Sequence, residues 1–378
     1  MMLRRLLLAL LASAPLPALA NDSTAELGTG GLILSRTDAI SMDSEDLFIS
    51  EEQVKVDYVF TNHEPNEVRT IVAFPMPDIE GNPFYMAGIP DSGSDNFLDF
   101  TVTMDGKPIN AQLEQKAFAV GVDVTKELEA QGIPLNPYGE ETEKALDKIS
   151  DATEKDWVER GIIITPEWDD GEGMKKHRSP FWRLKSTFWW EAIFAGDKQV
   201  KVSHSYKPSV GGSAGLTFYF DGKFEGEYDR YVQKYCLDEP VKNAVLKSAK
   251  ENPDGYPPLF ETRISYVLTT GGNWATGTIG KFKLTVDKGD PKHIVSFCGD
   301  GVKKTGPTTF EVNATDYYPA RDVDILILKK WEPAPEEPSA DRSLGGKEEA
   351  PMIPGPQQGA PRAGGAAPTS GAGDSGAE

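Results

Sequence analysis

The chain has 378 residues, 39 Lys and Arg against 59 Asp and Glu, a formal net charge of -20 and a pI of about 4.7. With 39% hydrophobic and 10% aromatic residues a sizeable core is available, so global disorder is excluded. The acidic balance repels phosphate backbones and anionic lipid headgroups, which argues against nucleic-acid binding and electrostatic membrane docking.

In chain order the first element is an export signal. Arg4 and Arg5 precede an apolar run over 6–14, and Ala18-Leu19-Ala20 places small residues before a cleavage site between Ala20 and Asn21. The run is shorter than the roughly 20 residues a membrane span requires, and Pro15 and Pro17 break the chain just after it. The reading is a signal peptide over 1–20 and a periplasmic or secreted mature chain with no membrane insertion after signal removal. In an oxidising compartment the pair Cys236 and Cys298 is expected to form one disulfide.

Period-two alternation dominates the next stretch, as in half-buried strands. Val54, Val56, Tyr58 and Phe60 alternate with Lys55, Asp57 and Val59, and strands are expected at 68–74, 100–104 and 109–113. Asp105-Gly106 is a hairpin dipeptide between the last two. Residues 123–160 read as an acidic helical insertion: Asp123 caps a helix over 124–131, and helices follow at 140–149 and 151–160, the last capped by Ser150. The apolar stripe of this insertion is thin, which predicts a solvated set of helices lying on a sheet.

The strongest alternation lies at 182–194 and 199–206. Trp182, Leu184, Phe188, Trp190, Ala192 and Phe194 share one face, and Arg183, Lys185, Thr187, Trp189 and Glu191 the other. Further strands are expected at 216–220, 263–269, 279–286, 293–298, 310–312 and 323–328. Tyr228, Tyr231, Val232 and Tyr235 have helical spacing, as do Val241, Ala244, Val245 and Ala249 behind the cap Asp238 and Pro240. Residues 332–378 are rich in Pro, Gly and Ala with no aromatic after Trp331, and read as a disordered tail. The expected fold is mainly β: two packed antiparallel β-sandwich-like lobes, 21–215 with the insertion 123–160 and 216–331 with a few helices.

Several segments resemble an exported bacterial family catalogued as domain of unknown function 4424. They are residues 21–32 with 41–49 and 56–60, Ile71-Val72-Ala73-Phe74-Pro75-Met76-Pro77-Asp78, residues 206–212, Ser296-Phe297-Cys298 and residues 316–322. The resemblance covers most of 21–331 and implies a Gram-negative periplasmic or surface protein. It implies no activity, cofactor or catalytic residue.

Candidate chemistry is sparse. Gly211-Gly212-Ser213-Ala214-Gly215 matches a nucleophile-elbow pattern, but the expected strand after it is the wrong context, so a glycine turn is the better reading. His204 has the parity of Val200, Val202 and Tyr206 and is expected in the core, satisfied by one partner. The scattered histidines have no zinc spacing, and the acidic loop Glu167, Asp169, Asp170, Glu172 reads as solvated charge more readily than as a calcium site; no metal and no cofactor are expected. Trp189, flanked by Arg183, Lys185 and Glu191, is a candidate flat surface for a sugar ring or a partner protein. The leading expectation is a non-catalytic binding or structural module acting on an envelope protein or glycan. An exported hydrolase using paired carboxylates on carbohydrate, and a periplasmic inhibitor or assembly factor, are the alternatives.

Overall fold

A computed structural model describes residues 21–331 apart from positions 29, 30, 85, 170 and 172. The expected signal peptide 1–20, the expected disordered tail 332–378, and Asp170 and Glu172 of the acidic loop therefore lie outside the described residues.

The fold is mainly β. A seven-stranded sheet runs in the order Val122–Asp123, Gln112–Ala119, Arg183–Phe194, Val68–Pro75, Ser23–Gly28, Gly31–Ser35, with Ile79–Glu80 paired to the start of Arg183–Phe194. An eight-stranded sheet has at its centre Thr309–Tyr317, Ile279–Asp287, Ile40–Ile49, Val54–Asn62 and Gln199–Tyr206 in that order. A five-stranded sheet is built on Val323–Lys330 and Leu259–Tyr266. Among the described residues every strand pairing is antiparallel except that of Ile40–Ile49 with Ile279–Asp287. The sheets are thus antiparallel, as expected, but for this one pair. The same pair joins strands from before and after residue 215 in one sheet, so the 215/216 boundary passes through a shared sheet.

One large core lies between the sheets. Phe74, Leu184, Trp190 and Phe194 come from the first, Val56, Phe60, Val202 and Leu284 from the second, and Ile264, Tyr266, Ile325 and Ile327 from the third. Alternation explains it: along Arg183–Phe194 every even-numbered side chain is buried, and full burial of a large apolar one such as Leu184 or Phe188 stabilises by roughly 1.5–3 kcal/mol. Within Val323–Lys330 the residues Ile325–Leu328 form instead a continuous apolar run, because both faces of the strand are covered there. Ile325 and Ile327 enter the large core, while Leu326 and Leu328 meet Tyr231, Tyr235 and Val245 of the helices Tyr228–Tyr235 and Glu239–Glu251.

Those helices form as their local signals dictate. Asp238 accepts from the Val241 amide at 3.0 Å, and proline stands in the first turn. Cys236, with φ of 55°, ends the first of them in the left-handed region, and its disulfide to Cys298 (Cα–Cα 5.1 Å) fastens this helix to the strand Ile294–Phe297.

The insertion carries more of a core than its sequence stripe suggested. Leu128, Ile133, Leu146, Trp157, Ile162 and Ile163 surround Trp182 and are all buried. Trp182 thus stands just before its strand and packs under the helices rather than between the sheets. Ser150 caps Asp151–Glu159 as expected. In the first helix, Thr125–Ala130, the cap position falls on Val124, and Asp123 instead accepts from the Thr125 amide through its side chain.

The segment expected as a strand at 216–220 is extended only over Tyr219–Phe220. Among the described residues no helix is long and apolar enough to cross a membrane.

Candidate binding cleft

A cleft lies where the loop after Ile79–Glu80 meets the helical insertion. Proline and glycine are frequent in its walls, where Gly81, Pro83, Pro137 and Pro180 stand in or beside the loops that line it. Gly81 fits where no side chain would. A Cβ there would lie 2.8 Å from the Trp182 carbonyl oxygen and 3.0 Å from Pro137, while the Gly81 amide donates to that same carbonyl at 2.8 Å. The Tyr138 hydroxyl donates to the carbonyl oxygens of Glu80 and Asn82 at 2.7 and 3.3 Å, and the Trp182 indole donates to the Leu135 carbonyl at 2.8 Å. Loop and insertion are thereby fixed to each other.

Two cavities flank Asn82. One, of about 380 Å³, is lined by Asn82, Pro83, Pro137, Tyr138, Trp168 and His177, with Glu143, Asp147 and Arg178 among its polar groups. Trp168 and His177, from the two arms of the hairpin Glu167–Asp169 and Met174–Lys176 and the residue after it, stack with ring centroids 3.8 Å apart and planes within 6°. Arg178 is held by Glu154 at 2.6 Å and by the Asp147 carbonyl at 2.9 Å. The Glu154 carboxyl also accepts from Lys176, and these two cations hold it below the usual carboxylate range.

The second cavity, of about 420 Å³, is lined by Glu80, Asn82, Phe118, Val120, Phe181, Arg183 and Lys185, among others. Val120 is 82% exposed, Phe181 44% and nearby Phe84 72%. Asp78, mostly buried, lies 3.5 Å from Arg183 and 3.7 Å from Lys185; burial raises its carboxyl pKa, and the two cations oppose that rise. Arg183 also meets Glu80 at 2.7 Å.

The four candidate surface residues do lie on the outer face of the first sheet, but not as one platform. Arg183 and Lys185 line the second cavity and are engaged by acids. Trp189 is half-buried further along the strand, and Glu191 is exposed beyond it. The amide of Leu32 donates to Glu114 at 3.0 Å, although two strands separate Gln112–Ala119 from Ser23–Gly28 in the sheet order. The hairpin Ser23–Gly28 and Gly31–Ser35 therefore curls across the outer face toward the strand that carries Trp189.

Ser213 and His204 are not brought together as a catalytic pair. Ser213 ends the strand Val210–Ser213, and its hydroxyl donates to the Gly215 carbonyl at 2.8 Å. The glycines before it are strand residues, not a turn. His204 is in the core, ringed edge-on by Tyr58, Phe74, Phe100 and Trp190. It is not satisfied there as expected: its Nε2 lies 3.4 Å from Asp22 Oδ1 without the alignment of a hydrogen bond, and neither ring nitrogen has a hydrogen-bond partner. Burial lowers its pKa to about 3 and keeps the ring neutral.

Beside it lies a buried polar cluster that sequence reasoning missed. Asn21, Asp22 and Glu45 are each at most 1% exposed. Asn21 Nδ2 donates to Glu45 Oε2 at 3.0 Å, and its Oδ1 accepts from the Tyr58 hydroxyl and from the Asp22 amide. The Asn21 backbone nitrogen donates to the Thr270 hydroxyl, which donates in turn to the Asn21 carbonyl at 2.6 Å. Tyr266 reaches Glu45 Oε1 at 3.3 Å, and Trp274 donates to the Asp22 carbonyl at 2.6 Å. Burial pushes the Glu45 carboxyl up to about 8 and raises that of Asp22, with Glu45 adding to the second rise. Among the described residues no group of three or more His, Cys, Asp or Glu is arranged to hold a metal ion.

The fold and the cleft define a mainly β protein with a loop-built, aromatic-lined groove on one edge and its polar core cluster sealed from solvent. The chain belongs to the family described as Domain of unknown function (DUF4424), whose model matches residues 20–326. No curated protein matches it. Among solved structures it is similar to a "putative nutrient binding protein" from Legionella pneumophila, at 14% identity and a TM-score of 0.40, over 82% of this chain and 70% of that one. Two structures of an M1 zinc metallopeptidase from Deinococcus radiodurans align over 78% of this chain and 43% of that enzyme, at 6% identity and a TM-score of 0.21. At these scores neither likeness bears on the chemistry of this chain.

Proposed function

We propose that this protein is a non-catalytic binding module of the bacterial cell envelope, exported by its first 20 residues, and that the paired cavities around Asn82 hold its ligand. The observation that carries this reading is the composition of the groove. Stacked Trp168 and His177, Tyr138 and Phe181 offer flat apolar surface, with Asn82, Glu143 and Asp147 as hydrogen-bonding groups beside it. That combination suits a neutral or weakly cationic glycan, whose ring faces stack while its hydroxyls meet amide and carboxylate groups. The acidic surface disfavours strongly anionic ligands.

The test is titration of the full-length export product with a panel of soluble envelope glycan fragments, followed by isothermal calorimetry and tryptophan fluorescence. Binding that Trp168→Ala weakens by about tenfold or more, with the melting temperature unchanged, supports the reading. Binding that is indifferent to Trp168→Ala and to Asn82→Ala places the ligand elsewhere and refutes it.

A further inference from the structure

Asn21 and Asp22 lead straight into the core, and every polar atom of Asn21 is used there. Glu45 and Asp22 bring two carboxyl groups into this closed space. Both oxygens of Asp22 lack a hydrogen-bond partner. The basic side chain beside Asp22, His204, is neutral. The other side chains bonded into the cluster are the phenols of Tyr58 and Tyr266, the hydroxyl of Thr270 and the indole of Trp274, none of them a cation. Two buried acids without a countercharge are costly, because an ionised carboxylate out of water needs a cation or several donors.

Hydrolysis of the Ala20–Asn21 bond would supply one. A water molecule is consumed, the leader departs with the new carboxylate on Ala20, and Asn21 keeps an amine that is protonated near neutral pH. We propose that this α-ammonium is the buried countercharge of Glu45 and Asp22, so that the core contains a binding site for the chain's own processed N-terminus. Processing then completes the fold: before cleavage the Asn21 nitrogen is a neutral amide, and afterwards it carries the charge that the two acids lack. The inference rests on the reading of residues 1–20 as an export signal.

The full chain with its own leader is produced in an export-competent bacterial host and its intact mass is measured. The amine is then labelled by reductive methylation under native conditions and after denaturation. A chain that begins at Asn21, with an α-amine modified at least about tenfold more slowly in the native state, is the expected result. An uncleaved leader overturns the export reading and this proposal together, and cleavage to a start other than Asn21 overturns this proposal alone. A start at Asn21 with an amine as reactive as surface lysines overturns this proposal alone.

A second comparison separates charge from mere fit. Glu45→Gln lowers the melting temperature more in the chain that begins at Asn21 than in one with an extra Met before it. Equal shifts in the two backgrounds overturn the proposal.

Discussion

Removing the Glu261 carboxylate should be among the most damaging single changes in this protein. Glu261 is 1% exposed on the strand Leu259–Tyr266. It accepts from the Thr217 amide at 2.6 Å, the Thr217 hydroxyl at 2.9 Å and the Tyr231 hydroxyl at 2.7 Å. Arg263 lies 3.6 Å away and donates to the same Tyr231 hydroxyl at 2.8 Å. One carboxylate therefore joins the five-stranded sheet, the loop at residue 217 and the helix Tyr228–Tyr235. In Glu261→Ala those donors lose their acceptor and Arg263 loses its counterion. A buried donor left unmet costs about 1–3 kcal/mol and a broken buried ion pair about 3–5 kcal/mol. These overlap, so the expected loss is about 3–5 kcal/mol. Glu261→Gln keeps the shape and one acceptor oxygen, and should cost roughly half as much. Guanidinium unfolding followed by tryptophan fluorescence reads both, as a lower midpoint at unchanged slope. A loss below about 1 kcal/mol for Glu261→Ala would refute the reasoning, since it would mean that water replaces the carboxylate at no cost and the site is not sealed.

Three further outcomes are expected. Reducing the Cys236–Cys298 disulfide, which spans a sequence separation of 62, should destabilise the chain by about 4 kcal/mol in the chain-entropy model; an unchanged unfolding midpoint in reductant would contradict this. His204 has a folded-state pKa of about 3, below its unfolded value near 6.5, so its contribution to stability is present above pH 6.5 and is lost as pH falls toward 3. His204→Phe should therefore flatten the acid limb of the stability profile, and an unaltered limb in melting experiments from pH 7 to pH 4 would assign acid lability to other groups. Gly81→Ala places a Cβ 2.8 Å from the Trp182 carbonyl oxygen, which should displace the Asn82 loop and cost about 1–3 kcal/mol; retained stability together with retained cleft binding would show that the loop yields freely.

The strands were legible wherever one face meets the core and the other meets water. Val54–Asn62, Arg183–Phe194 and Gln199–Tyr206 all follow the alternation read from their residues. The caps Ser150 and Asp238 were legible too, because capping is local chemistry. The cleft was not. Its walls come from residues near 80, 137, 168 and 180, and no local pattern says that loops so far apart in sequence will meet. Arg183 and Lys185 were singled out through strand parity, which gives the face correctly but not the acids that occupy them, Asp78 and Glu80. Trp182 was assigned to the sheet core by the same parity, and fails because it precedes the strand's first residue, Arg183.

Glu45 shows most clearly why the buried cluster escaped notice. In the run Ile40–Ile49 acidic and polar residues crowd 43–46, which reads as a solvated stretch. The strand contains an irregularity in its register with Val54–Asn62, between Met42 and Ser44. Before that point Ile40 and Met42, even-numbered, face inward; after it Glu45, Leu47 and Ile49, odd-numbered, do so. One extra residue thus switches the parity and turns a glutamate into the core, opposite Tyr58. A bulge that places an acid there gains nothing from packing alone, because an apolar side chain would fill the same volume without a desolvation cost. Its position against Asn21 Nδ2 makes sense if the acid's partner is the processed N-terminus proposed above. The irregularity and the depth at which Asn21 sits are then two parts of one device, and moving either should cost the other its purpose.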